Sequence, residues 1–285
     1  PAARGPGAKA RGGARGGAGG GRRRPPPPGA PAGRPGGGGG RGPPPARPGD
    51  RPEGGPGGQG ADRPEDRRGG RPADRPGVRA ALAAAGLEIS ALAGYTGVCA
   101  PGDDGPVVEA LAADLLLAAD LGAPAVRVFP EGEDTAAGTR RLRAVAPEAR
   151  RLGVRVLVET HDALPTGAAV ARLLEAAGEP EATGAIWDLL HPWRHGEDPA
   201  ATLASLGDHL AYVQIKDAAP DLTPMPLGEG TVPLEEAGRL LRERGYDGWV
   251  SLEWERTWFP HIAPVETVIA GAASWTRRFS PPPDH

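Results

Sequence analysis

From residue 78 to residue 278, short apolar runs of five or six residues alternate with longer stretches whose apolar positions recur every three or four residues. The short runs read as buried strands and the longer ones as amphipathic helices. The pattern predicts a helix over 78–85 and a strand over 87–92, then a helix over 106–121 and a strand over 125–129. A helix ending at Leu152 leads to a strand over 154–159, and a helix over 166–177 to a strand over 184–188. The last units are a helix over 199–206, a strand over 210–215, a helix over 233–244, a strand over 248–253 and a helix over 264–278. Gly86, Gly122, Gly153, Gly178, Gly207 and Gly245 each follow a predicted helix, where glycine is a stop signal.

Strict alternation of strands and helices means parallel strands joined by helical crossovers. An open doubly wound sheet would carry a Gly-rich phosphate turn after its first strand, and no G-x-G-x-x-G follows any of the six. Charged residues stand instead at the strand C-termini: Glu159, Asp188, Lys216 with Asp217, and Glu253. In TIM barrels that rim carries the active site. The predicted class is therefore α/β, a (β/α)8 TIM barrel that is incomplete, with its first two strands unrecognisable.

Composition divides the chain further. Residues 1–77 hold no Val, Ile, Leu, Met, Phe, Trp, Tyr or Cys, and 43 of these 77 positions are Gly or Pro. Such a segment buries nothing and is expected to be disordered. It carries 16 Arg plus Lys against 6 Asp plus Glu, a net of +10, while the remainder carries 17 against 30, a net of −13. The expected organisation is a disordered segment at 1–77, the barrel at 78–278 and a tail at 279–285. Nucleic-acid binding by the basic head is disfavoured, because no Phe or Tyr is present there to stack on bases. Cys99 is the only cysteine, so no intrachain disulfide forms. No apolar run approaches the ~20 residues of a membrane span and the N-terminus lacks the apolar segment of a signal peptide, so a cytoplasmic location is expected.

The strand ends carry the chemistry. Glu159 closes an apolar strand, Asp188 closes the next with His191 three residues on, Gln214 offers an amide, and the last strand offers Glu253 and Glu255. These positions are about one strand–helix unit apart, so successive strands bring them to one rim. Three carboxylates facing one another repel, and a divalent cation removes that problem; oxygen ligands suit Mg²⁺, Mn²⁺ or Co²⁺. The competing reading is a set of ordinary rim charges in separate salt bridges. Arg127 lies mid-strand, where a charge is costly unless it is paired or faces a pocket.

Six segments carry a resemblance to a known family: Glu159-Thr-His-Asp162, Trp187-Asp-Leu-Leu-His-Pro192, Val213-Gln-Ile-Lys-Asp217, Leu227-Gly-Glu-Gly230, Gly245-Tyr-Asp-Gly-Trp-Val-Ser-Leu-Glu-Trp-Glu255 and Leu121-Gly-Ala-Pro-Ala-Val-Arg-Val-Phe129. Over 78–278 the chain resembles the xylose-isomerase-like, sugar phosphate isomerase/epimerase TIM barrels. The resemblance implies a divalent metal (Mn, Mg or Co) held by Glu159, Asp188, Gln214 and Glu253. Gln214 departs from the histidine usual there; an amide oxygen binds a hard cation, or else contacts substrate. The resemblance also makes His191, Lys216, Arg127 and His161 substrate contacts, and Glu159 and Glu253 the catalytic pair. For Lys216 the alternative is a plain salt bridge to Asp217 or another neighbour.

The reaction so implied is isomerisation or epimerisation of a sugar or sugar-like polyol, by proton transfer through an enediolate. An inosose-type dehydratase on the same fold and an inactive sugar-binding barrel are the alternatives; a DNA phosphodiesterase is disfavoured by the net charge of −13. The partner expected is a small-molecule sugar or polyol, with no membrane and a homo-oligomer left open. The family begins with a strand, a helix and a strand before the equivalent of Val78. Residues 1–77 lack the apolar residues for these, as GC-rich DNA read in a wrong frame would, or as a true disordered extension would.

Overall fold

The computed structural model describes residues 74–279, and the expectations for 1–73 and 280–285 lie outside the described residues. The elements run α1 (Arg75–Ala84), β1 (Leu92–Gly97), α2 (Asp104–Leu121), β2 (Ala125–Phe129), α3 (Thr135–Leu152), β3 (Arg155–Glu159), α4 (Gly167–Ala177) and β4 (Thr183–Asp188). They continue with α5 (Leu190–Arg194), α6 (Pro199–Leu206), β5 (Leu210–Ile215), a short antiparallel pair β6 (Asp217–Ala218) and β7 (Pro224–Met225), α7 (Leu234–Arg244), β8 (Trp249–Leu252) and α8 (Ile269–Phe279).

Local chemistry sets the helix limits. Asp134 accepts from Ala137 N at 2.9 Å, Thr166 from Ala169 N at 3.2 Å and Asp198 from Ala201 N at 2.7 Å, each satisfying a first-turn N–H. Gly122 (φ 79°) and Gly153 (φ 65°) end α2 and α3 in the left-handed region that a side chain would strain. α1 starts three residues ahead of the expected boundary at Val78. At the other end Phe279, assigned to the tail by composition, is 9 % exposed and packs its ring 5.0 Å from that of Trp275.

Six strands form one parallel sheet in the order β1-β2-β3-β4-β5-β8, curled into part of a barrel wall. Among the described residues β1 and β8 each pair on one side only. Side chains alternate between its faces. Val126, Val128, Val156, Val158, Val213 and Ile215 point outward into the main core, against Leu111, Leu115, Leu142, Leu173 and Leu206 of the helices. Ala125, Leu157, Ile186 and Tyr212 point inward and pack together as the floor of the curled sheet. Two residues further along the same strands stand Arg127, Glu159, Asp188 and Gln214. The apolar floor and the polar ring above it are thus one consequence of the period of two.

Burial falls off from the middle of this wall. All six residues of β4 are buried, whereas β8 has none fully buried and its Trp249 is 41 % exposed.

The first predicted strand is misplaced. Residues 87–92 alternate in polarity, yet pairing with β2 begins only at Leu92 opposite Val126. Residues before it cross the floor instead, where Ser90 Oγ and Tyr212 Oη lie 2.9 Å apart. The strand itself is Leu-Ala-Gly-Tyr-Thr-Gly, poor in strand formers. Gly94 is required there because a Cβ would come within 2.7 Å of the Arg127 carbonyl oxygen. The final helix, predicted from 264, is a single 3-10 turn over Val265–Thr267 followed by α8.

Candidate metal and active site

Apart from Arg127 in the middle of β2, each side chain of the site stands at or just beyond a strand C-terminus, above the apolar floor. Glu159 ends β3 and Asp188 ends β4, both 0 % exposed. Gln214 and Lys216 flank the last residue of β5, and Glu253 follows β8, its N–H bonded to Ile215 O at 3.0 Å. One carboxylate oxygen from each of Glu159, Asp188 and Glu253 lies within 4.8 Å of the other two.

Arg127 donates to the Gly94 carbonyl through Nε (3.3 Å) and Nη2 (3.2 Å), and to Glu159 Oε2 through Nη1 (3.4 Å). Its guanidinium lies 4.3 Å from the Phe129 ring centroid. The mid-strand charge is therefore paired and faces the pocket. His161 and His191 bring their rings to 4.2 Å. His161 Nδ1 approaches Asp162 Oδ1 at 2.7 Å. Lys216 Nζ lies 3.0 Å from Asp188 Oδ2, 3.2 Å from Glu255 Oε1, 3.3 Å from Glu253 Oε1 and 3.3 Å from His191 Nε2. The structure thus gathers Arg127, Glu159, His161, Asp188, His191, Gln214, Lys216 and Glu253 through an unbroken set of contacts.

Asp217 is not the partner of Lys216, because neighbours on an extended chain face opposite ways. Its carboxylate turns away and accepts the N–H groups of Ala218, Gly228, Gly230 and Val232, folding the loop that holds the Leu-Gly-Glu-Gly segment. Two pocket residues carried no role from the sequence. Glu255 repeats the position of Glu253 two residues on, and Phe129 repeats that of Arg127; the period of two was the signal for both. Trp187, next to Asp188 on β4, is 1 % exposed and belongs to the outer core.

Electrostatics follow from burial and proximity. Burial, with Glu253 and Asp188 close by, pushes the Glu159 carboxyl up to about 8, against the pull of Arg127 and His161. Burial also raises Glu253, with Asp188 adding to it and Lys216 opposing. Burial disfavours the Lys216 ammonium, yet Asp188, Glu253 and Glu255 outweigh that and hold its proton more tightly than usual. His191 is held well below the usual imidazole range by burial and by the Lys216 charge.

Residues fit a hard cation. Glu159 Oε1 and Gln214 Oε1 are buried with no hydrogen-bond partner. Asp188 Oδ2 faces Lys216 at a distance of an ion pair without hydrogen-bond geometry. Orphaned oxygens on three adjacent strands are what a cation would satisfy. A second group, Glu159 with His161 and His191, also brings its ligand atoms within 4.8 Å and would suit a softer ion.

The curated relative named putative hydroxypyruvate isomerase, from Streptomyces coelicolor, is 30% identical over 224 residues, covering 68% of this chain and 79% of its own. Among solved structures, the protein titled IOLI with a binding zinc atom matches at TM-score 0.63 and 15% identity, over 72% of this chain and 82% of that one. The 3-keto-D-glucoside 4-epimerase YcjR of E. coli matches at TM-score 0.59 and 19% identity, over 72% and 85%. At these identities the two structures speak for the fold. The family described as xylose isomerase-like TIM barrel matches residues 58–279, and with that span and that relative the chain belongs to this family.

Proposed function

We propose that this chain catalyses a metal-dependent isomerisation or epimerisation of a small sugar-like hydroxycarbonyl compound, by proton transfer at the carbon beside the carbonyl. An enzyme of sugar isomerase or epimerase type fits relatives so named. The observation that carries the finer reading is the pair of a buried Glu159 and a partly buried Glu253, within 4.8 Å of each other and of Asp188.

Glu159, Asp188, Gln214 and Glu253 would hold the cation, which would stabilise negative charge developing on adjacent carbonyl and hydroxyl oxygens of the substrate. Glu159 takes the proton from carbon; Glu253 returns one to the neighbouring carbon or to the opposite face, through an enediolate. Burial and the neighbouring Glu253 and Asp188 raise the proton affinity of the Glu159 carboxylate in the metal-free pocket, which suits it to accepting a proton once ionised. Arg127, His161, His191 and Lys216 line the same pocket and would orient substrate oxygens. The relative's name makes hydroxypyruvate the first substrate to try.

The test is proton exchange. The protein is incubated in D₂O with hydroxypyruvate, ketohexoses or an inosose, with Mn²⁺, Mg²⁺ or Co²⁺, and followed by NMR. Deuterium beside the carbonyl, dependent on cation and lost in Glu159→Gln and Glu253→Gln, is expected. Loss of water would make the chain a dehydratase, and no cation-dependent exchange with any substrate would refute the reading.

A further inference from the structure

Lys216 is the only lysine beyond Lys9. Its ammonium has three protons and four partners at 3.0 to 3.3 Å: Asp188, Glu255, Glu253 and His191. Two of these, Asp188 and Glu253, belong to the trio that can converge on a cation; Glu255 does not. With those two engaged by a cation, Lys216 stands beside a second positive charge, and Glu255 is the anion left to it.

We propose that Glu255 is a positioning residue: it keeps the Lys216 ammonium in the pocket, facing substrate, while Asp188 and Glu253 hold the cation. The proposal rests on the metal reading above. Geometry supports it in two ways. Glu253 and Glu255 are two apart just beyond β8 and reach the same ammonium, whose side chain is only 5 % exposed. The charges also close: when all are ionised, Glu159, Asp188, Glu253 and Glu255 carry −4, Arg127 and Lys216 carry +2, and one divalent cation supplies the rest. Removing Glu255 leaves that buried set with an uncompensated positive charge, which a low-dielectric pocket penalises.

The experiment compares the full chain with E255Q, K216Q and the double variant, with K216M as a second background that adds no polar group. Mn²⁺ affinity is measured by calorimetry and the melting temperature without metal by scanning. E255Q is expected to lower Mn²⁺ affinity about tenfold, the factor that 1.4 kcal/mol represents. Its melting temperature without metal should change little, because Lys216 keeps Asp188 and Glu253. In either Lys216 background the cost of E255Q should shrink to below about threefold, since Glu255 acts through the ammonium. An E255Q protein that binds Mn²⁺ as the parent does overturns the proposal, as does the same cost in every background, which would mean that Glu255 acts on the ion directly. A parent chain that binds none of Mn²⁺, Mg²⁺ and Co²⁺ overturns the metal reading and this proposal together.

Discussion

Gln214 donates through Nε2 to Glu253 Oε2 at 2.6 Å, and its amide oxygen is buried with no hydrogen-bond partner. The amide therefore does two things at once. Its nitrogen aims one carboxylate of the pocket, and its oxygen is left to face what the carboxylates face. A histidine at the same position would offer the cation an imidazole nitrogen in place of an amide oxygen.

Gln214→His should accordingly tighten binding of softer cations such as Co²⁺ or Zn²⁺ while helping Mg²⁺ little, because imidazole is the softer ligand. Calorimetric titration of each ion into parent and variant checks this. Unchanged or weaker Co²⁺ affinity would mean that the Gln214 oxygen is directed at substrate.

Divalent cation should raise the melting temperature, since a ligand that binds only the folded state stabilises it by mass action. At a hundredfold excess over Kd the gain is about 2.7 kcal/mol. Glu159→Gln and Asp188→Asn, which each remove a charged ligand oxygen, should abolish most of the rise, and EDTA should reverse it. Differential scanning with Mn²⁺, Mg²⁺ and Co²⁺ in turn is the measurement; no rise with any of them sinks the site.

The buried Glu159 carboxyl gives the metal-free protein a pH signature. Unfolded, a glutamate titrates near ~4.3. Folded, burial and the neighbouring Glu253 and Asp188 carry Glu159 to about 8. Between those values the unfolded chain binds fewer protons than the folded one, so stability falls as pH rises through this window. The melting temperature without metal should be lower at pH 8 than at pH 5.5, and Glu159→Gln should flatten the slope. With Mn²⁺ the gain in melting temperature should grow with pH, because the cation needs the ionised ligand. Stability that climbs from pH 5.5 to 8 in metal-free protein would contradict the assignment.

Arg127→Met should destabilise the protein by about 1–3 kcal/mol, the cost of leaving buried polar groups unpaired. The groups so stranded are the Gly94 carbonyl and Glu159 Oε2, which the guanidinium now bridges. Part of the loss should return on adding Mn²⁺, because a cation compensates Glu159 but not Gly94. Denaturant melts with and without Mn²⁺ separate the two shares; a loss fully restored by the ion would show that the Gly94 contact contributes nothing.

Much of this architecture was legible because period-two and helical patterns are strong where burial is complete. The bounds of β2, β5 and α6 agree with those read from sequence, and the rim position of Glu159 and Asp188 follows from apolar strands that end in a charge. Legibility failed where packing overrode propensity. β1 was displaced because its glycines, of which Gly94 lets it approach the Arg127 backbone, look like loop. The short α5 after Asp188 was invisible in a five-residue window, although Asp188 Oδ1 anchors its start by accepting from Leu190 N at 2.8 Å. Arg141 gave no sign of being fully buried, with its guanidinium holding the carbonyls of Val98, Ala100 and Gly102, since one arginine on a helix reads as surface. The pairing of Lys216 depends on three strands at once, and no local pattern encodes it.

The burial gradient across the sheet divides the site mechanically. Backbone amides exchange with solvent most slowly where strands are covered on both faces and flanked on both edges, and fastest where they are not. Glu159 and Asp188 ride on β3 and β4, in the best-covered part of the wall, while Glu253 and Glu255 extend from β8, which is half exposed and, among the described residues, flanked on one side. Amide exchange is therefore expected to be faster along β8 than along β3 and β4, which puts Glu253 and Glu255 on the looser edge of the pocket and Glu159 and Asp188 on the firmer one.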